Sequence, residues 1–199
     1  MKRKMLSGRF ITVTVALAVA LVTISSGPAS ARKKMGQMKG PQFTAQGELV
    51  MPQNYRHWIF VGAPVTPNDM NNGKAAFPEF HHVYMDPKSY AAYCKSGAFP
   101  DGTMLLKELV SVGSKSAASG SGYFAGDFIG VAMAVKDSKR FAKEPGYWAY
   151  FNFMGENGQA LKTAKAQPTA ACNTCHQKNA AEDWVFTQFY PVLREAKKK

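Results

Sequence analysis

Five consecutive residues, Cys172-Asn173-Thr174-Cys175-His176, constrain this 199-residue chain more than any other feature. Two cysteines three positions apart, followed at once by histidine, form the attachment signature of a c-type haem. One helical turn sets both thiols where they can form thioethers to the two vinyl groups of one porphyrin, and the adjoining imidazole points at the iron. Cys172 and Cys175 are therefore read as the covalent anchors and His176 as the proximal metal ligand. A zinc site needs two more ligands at short spacing, and the only other cysteine is Cys94. A thioredoxin-like dithiol should follow a strand within a βαβ pattern, which this sequence lacks. With four histidines in 199 residues, one follows a given cysteine by chance about one time in fifty.

The N-terminus agrees with a haem that is attached after export. Lys2, Arg3, Lys4 and Arg9 make a positive start, Phe10 to Ile24 is almost wholly apolar, and Ala29-Ser30-Ala31 is a small-x-small cleavage site. This pattern is a secretory signal over residues 1–31, cut after Ala31. The apolar run is short for a membrane anchor, which needs about 20 residues. The expected location is the periplasm, with no membrane segment after cleavage. Removing four positive and no negative charges takes the formal net charge from +12 to +8. Basic residues gather at the ends, in Arg32, Lys33, Lys34 and Lys39 and again in Lys197 to Lys199. Such clusters are solvated tails, or a docking patch for an acidic redox partner. No nucleic-acid motif is present.

Residues 32–45 read as a mobile lead-in and 46–199 as one haem-binding domain. From 59 to 154 the texture is β. Expected strands are Ile59–Val65, Phe80–Met85, Thr103–Val112, Tyr123–Val135 and Gly146–Met154, with a long loop over Gly113–Gly122. A helix should start at Asp86-Pro87, carry Cys94 and end near Gly97. Asp137–Lys143 suggests a short helix. After residue 160, Thr169 can cap a helix carrying the haem motif, and Val185, Phe186, Phe189 and Leu193 fall at helical spacing in a last helix that Pro191 should kink or interrupt. The fold class is α+β: an antiparallel β-sheet with flanking helices, the C-terminal ones carrying the haem.

Alternation along Tyr123–Val135 sets Phe124, Gly126, Phe128, Gly130, Ala132 and Ala134 on one face. Apart from its aromatics this face is small, so a flat porphyrin can approach the backbone; a closely packed helix or a bulge at Gly126 fits equally. In the neighbouring strand Lys107 shares a face with Leu105 and Leu109. An inward lysine is costly without a partner, whereas on an edge strand it reaches water. Carriers of electrons usually have a second protein ligand on the iron, often methionine. No methionine follows His176, so a sixth ligand must come from upstream, from His81, His82 or a methionine; otherwise the position is open to small molecules.

At this point the chain resembles the cytochrome P-460 family of hydroxylamine-oxidising haem proteins, together with the related cytochrome c′-beta. The resemblance runs from about Gly47 to Lys198. It rests on Asn54-Tyr55-Arg56-His57-Trp58, Val65-Thr66-Pro67-Asn68, Val83-Tyr84-Met85-Asp86-Pro87, Asp101-Gly102-Thr103 and Lys107-Glu108-Leu109-Val110-Ser111-Val112-Gly113. It continues through Gly122-Tyr123-Phe124, Gly126-Asp127, Val135-Lys136-Asp137-Ser138, the haem motif, and Phe189-Tyr190-Pro191-Val192-Leu193-Arg194. The resemblance implies a homodimer with one five-coordinate haem c per chain, and a Lys107 whose side-chain nitrogen is bonded to a meso carbon of the porphyrin. It also implies hydroxylamine and nitric oxide as ligands, oxidation of hydroxylamine to nitrogen oxides at ferric haem, and a redox partner protein as electron acceptor.

The chain departs from the family at two positions. Ala132 stands where active members carry a glutamate above the iron, and His81 where an arginine is usual. His81, alone or with His82, is the candidate to replace the lost base; the other reading makes His81 a partly buried polar residue in a site without a proton acceptor. A missing general base costs roughly 10²–10⁴ in rate. The expected activity is therefore weak hydroxylamine oxidation. The alternatives are non-enzymatic nitric oxide binding or scavenging, and plain electron transfer.

Overall fold

The computed structural model describes residues 40–156 and 158–197. The export signal over 1–31 and the first part of the lead-in lie outside the described residues. In chain order the elements are β1 Leu49–Val50, β2 Ile59–Gly62, β3 Phe80–Met85, α1 Pro87–Ser96, β4 Met104–Val112, β5 Ser116–Ala117, β6 Gly120–Ser121, β7 Ala125–Lys136, β8 Trp148–Asn152, β9 Thr163–Ala164, α2 Thr169–Asn179 and α3 Pro191–Ala196. Five strands form one antiparallel sheet in the order β2-β3-β4-β7-β8, and β1 pairs with β9 in a separate ribbon. Three helices, two of them C-terminal, accompany the sheet, and the fold is α+β as expected.

Register sorts the side chains onto two faces, because directly opposed residues on neighbouring strands point the same way. Lys107 faces Val83 on one side and Ala132 on the other; Leu105 faces Ala134, which in turn faces Tyr150. This is the face covered by helices. Its buried residues Val83, Met85, Leu105, Trp148 and Tyr150 pack with Tyr93 of α1, and with Leu193 and Ala196 of α3. The opposite face buries Met104, Leu106, Val131, Met133, Val135 and Phe151 under Leu49, Trp58 and Phe43. Glu108 lies on that second face, 5% exposed, and accepts a two-pronged hydrogen bond from Arg56 at 2.6 and 3.1 Å.

All five expected sheet strands form, each within three residues of its predicted ends. β8 starts late because Gly146 adopts a left-handed φ of 62°, and the Trp184 ring lies where a Cβ would sit. Gly113–Gly122 is a short hairpin, β5–β6, rather than an open loop. Phe43 bridges Leu49 and packs on Phe151, so folded structure begins before residue 46. Two local expectations are corrected and a third is narrowed. Asp137–Lys143 is a run of turns, since Asp137 Oδ1 accepts from the amides of Lys139 and Arg140 and competes with helix bonds. Thr169 is the first residue of α2, not its cap; its hydroxyl donates to Glu144. At Pro191 the expected helix is interrupted and not kinked: the residue opens α3, because its missing N–H and fixed φ suit a first turn.

α1 matches its prediction closely. Asp86 caps it by accepting from the Ser89 amide at 2.9 Å, Pro87 occupies the first turn, and Gly97 ends it at φ 70°. The second oxygen of Asp86 accepts from the Met104 amide at 2.9 Å, tying the helix start to β4 three residues before Lys107. Asp86 is 4% exposed, so Asp86→Ala removes a cap and leaves two buried amides without acceptors. The expected loss is about 2–3 kcal/mol, a fall of about 5–10 °C in Tm. Thermal unfolding of the variant beside the parent checks this.

Candidate haem site

Helix α2 docks through the first spacer residue of the cysteine motif. Asn173 is 1% exposed, and its side-chain amide donates to the Trp148 carbonyl of β8 at 2.8 Å. That contact turns Cys172 toward the helix-covered face, where it packs against the buried cluster, and leaves Cys175 exposed. His176 follows on the same turn, between the rings of Tyr150 at 4.3 Å and Phe186 at 4.7 Å.

The imidazole is fixed by a hydrogen bond at its far side. His176 Nδ1 lies 2.8 Å from the Trp184 carbonyl. A carbonyl only accepts, so Nδ1 carries the proton and Nε2 keeps its lone pair for a metal. The carbonyl is aimed by a tight turn in which Val185 donates to Glu182 O at 2.7 Å, and both central residues are left-handed, Asp183 at φ 42° and Trp184 at φ 60°. Such residues cost about 1–3 kcal/mol each and persist only where the surroundings hold them. Here Asp183 pairs with Lys136 at 2.5 Å, while the Glu182 carboxylate accepts from Tyr93 and Lys197 at 3.1 and 2.7 Å.

Across from α2 lies the sheet. Lys107 and Ala132 are opposite one another at its centre, and the Lys107 amine sits 4.7 Å from the centroid of the Phe77 ring. Phe77 also meets His81 edge-on at 6.0 Å. The small face of β7 is shorter than alternation suggests. A register shift between Leu109 and Val110 leaves Ile129 unpaired, so the regular run covers Gly130, Ala132 and Ala134 but not Phe124 to Phe128. Met154 lies over Gly130, its Cγ 2.2 Å from where a glycine Cβ would be. His82 points to the other face, where it meets Phe60 and Phe80, so it does not join His81.

Residues 52–187 match the family model described as cytochrome P460. The chain belongs to the cytochrome P460 family. No curated protein matches it. Membership makes it a haem cytochrome related to hydroxylamine oxidation and implies a c-type haem.

The residues of this cytochrome fit that group. His176 offers a free Nε2, Cys172 and Cys175 are unpaired thiols, and Ala132 and Ala134 present a flat floor. Among the described residues no three His, Cys, Asp or Glu side chains cluster as a metal site, which leaves the two thiols without the partners zinc needs. Among the described residues, three buried side-chain atoms have no hydrogen-bond partner: Glu79 Oε2, His81 Nε2 and Trp184 Nε1. Orphans of this kind are rare in a folded domain and call for a partner such as a water or a ligand.

The electrostatics of the site are those of a desolvated pocket. Burial lowers the Lys107 amine from its usual value, opposed by the charges of Glu79 and Cys172. Burial also raises the Cys172 thiol, and it lowers His176 despite the opposing Trp184 hydrogen bond. Four of the residues singled out from sequence, His81, Lys107, Cys172 and His176, thus act on one another through space, and Ala132 is paired with Lys107. Sequence reasoning missed Asn173, Trp184, Phe77, Glu79 and Met154. Only Met154 carried a signal, since it continues the alternation of β8 beside Gly130.

Burial first, and then the Lys107 charge, depress the His81 imidazole from 6.5 to about 4. The unfolded chain therefore takes up this proton more readily than the folded one. The stability held by a neutral His81 is complete above about pH 6.5 and is lost as pH falls to about 4. Between pH 7 and 4, His81→Gln should lose about 2 kcal/mol less than the parent, a figure reduced for the partial exposure of the ring. Urea titrations of both proteins across that range measure the difference; equal losses would contradict a depressed His81.

Proposed function

We propose that this chain is an exported, periplasmic, monohaem c-type cytochrome that binds hydroxylamine or nitric oxide at an open ferric site and oxidises hydroxylamine slowly to nitrogen oxides. The observation that carries the reading is Lys107, an inward amine on the helix-covered face, opposite Ala132 and within electrostatic reach of Cys172 and His176. An amine so placed is costly unless it is bonded to something, and a covalent bond to the porphyrin edge resolves that cost. Cys172 and Cys175 hold the ring, His176 ligates the iron, and Lys107 adds a third tether. Haem, when bound, supplies the redox chemistry.

The rest falls to the chain. The Trp184 carbonyl holds the His176 proton on Nδ1, and Tyr150 and Phe186 fix the plane of the imidazole. His81, neutral and with a free Nε2, is placed to hydrogen-bond a small ligand beside Lys107. Ala132 gives the ligand room but takes no proton, which sets the turnover low. A redox partner protein accepts the electrons, and the chain works as a homodimer. Among the described residues no helix is long and apolar enough to cross a membrane.

A second reading, nitric oxide binding without turnover, draws on the same alanine. Position 132 has neither acid nor base function, and binding nitric oxide requires none.

Two outcomes are expected. Intact mass and mapping of the haem peptides should find Lys107 joined to the porphyrin; a haem held through Cys172 and Cys175 alone would remove the third tether. Ferric protein given hydroxylamine anaerobically should reduce a dye over many turnovers, and Ala132→Glu should raise that rate by about tenfold or more. A spectral shift with no dye reduction would favour the binding reading.

A further inference from the structure

The pocket contains a carboxylate that no resemblance assigned. Glu79 lies in the bend just before β3, two residues ahead of His81. One of its oxygens is buried without a hydrogen-bond partner, although the carboxylate acts on the Lys107 amine. The other orphan on this strand is His81 Nε2, and the Phe77 ring touches both His81 and the Lys107 amine. Phe77 and Lys107 thus link Glu79 and His81, each of which has a buried polar atom without a partner.

Glu79 differs from His81 in what lies behind it. The carboxylate also borders a cavity of about 280 Å³ whose walls include Asn68, Asp69, Ser111 and Lys115. Asp69 and Lys115 are exposed and paired with each other. Glu79 thus acts on the Lys107 amine and also lines a polar cavity that meets solvent, whereas His81 is not part of the cavity wall. A proton taken up on the inner side has a route out on the other.

We propose that Glu79 is a catalytic residue of this site, the carboxylate that accepts the protons hydroxylamine releases and delivers them to solvent through the adjoining cavity. The assignment rests on the hydroxylamine-oxidising reading above. In that reaction, loss of two electrons and two protons takes hydroxylamine to the nitroxyl level. The two electrons would leave through the haem one at a time, to two molecules of a one-electron redox partner. Each proton breaks from the substrate and forms an O–H bond on Glu79 before passing to water. Glu79, and not a residue at position 132, then carries the turnover the site has.

Cyanide tests this without turnover, because hydrogen cyanide must give up its proton to bind ferric haem and nitric oxide has none to give. Stopped-flow measurements on the haem-loaded ferric protein should show cyanide binding to Glu79→Gln slowed by about 10²-fold, with nitric oxide affinity unchanged. Hydroxylamine turnover should fall in parallel. In Glu79→Ala, which covers the case that the glutamine variant fails to load haem, added formate should restore the cyanide rate. A parental cyanide rate in Glu79→Gln, a loss confined to His81→Gln, or no recovery with formate would each overturn the assignment. A parent that binds cyanide rapidly through Glu79 but never oxidises hydroxylamine would overturn the enzymatic reading alone.

Discussion

Helix α2 rests on the sheet through a single buried amide, and the site's geometry follows from it. Asn173 spends its donor on the Trp148 carbonyl and in doing so sets the rotation of the helix. With that rotation fixed, Cys172 faces the sheet, Cys175 faces outward, and His176 enters between Tyr150 and Phe186. A helix of eleven residues has little stability of its own in water, so its orientation must come from such tertiary contacts. An unmade bond here would leave a buried carbonyl and a buried amide without partners, which is why the register between α2 and β8 is tightly specified.

The second fixed point is the turn at Glu182–Val185. Two adjacent non-glycine residues in left-handed conformation are unfavourable, and they are held by an ion pair to Lys136 and by a carboxylate bonded to α1 and to Lys197. That turn presents a carbonyl to the His176 ring. The strain is local, but the groups that stabilise it come from three separate elements. The free Nε2 of His176 is thus oriented by contacts on the far side of the helix layer.

The sheet side combines features that conflict with ordinary core packing. Lys107, Glu79 and His81 bring charge and unpaired polar atoms to a layer otherwise made of aliphatic and aromatic side chains. Folded proteins tolerate such groups where they bind something, since each unsatisfied atom otherwise costs about 1–3 kcal/mol. The opposite face shows the usual solution, with Glu108 neutralised by Arg56 in a two-pronged pair. Adjacent residues of one strand, 107 and 108, therefore mark the working face and the structural face.

Much of this was legible in the residues alone. The spacing of Cys172, Cys175 and His176 announces its ligand because one helical turn matches one porphyrin edge. Alternation put Lys107 on the same face as Leu105 and Leu109, and the small residues of β7 on one side, since side chains in a strand alternate whatever the strand packs against. Asp86, Pro87 and Gly97 bounded α1 because capping is a local affair. What sequence left open depended on partners distant along the chain. The bulge at Ile129, which shortens the small face, exists only in the pairing of β7 with β4. Asn173 looked like a spacer until Trp148 was beside it. Trp184 gave no hint that its backbone would hold His176, since a bulky aromatic is not a residue that local preference sends left-handed. Glu79 carried no sequence signal, and its meaning came from a buried oxygen without a partner and from its charge beside Lys107. Local spacing and alternation are set by covalent geometry and so belong to the sequence; the partners of buried polar groups are set by which distant segments the packed core brings together.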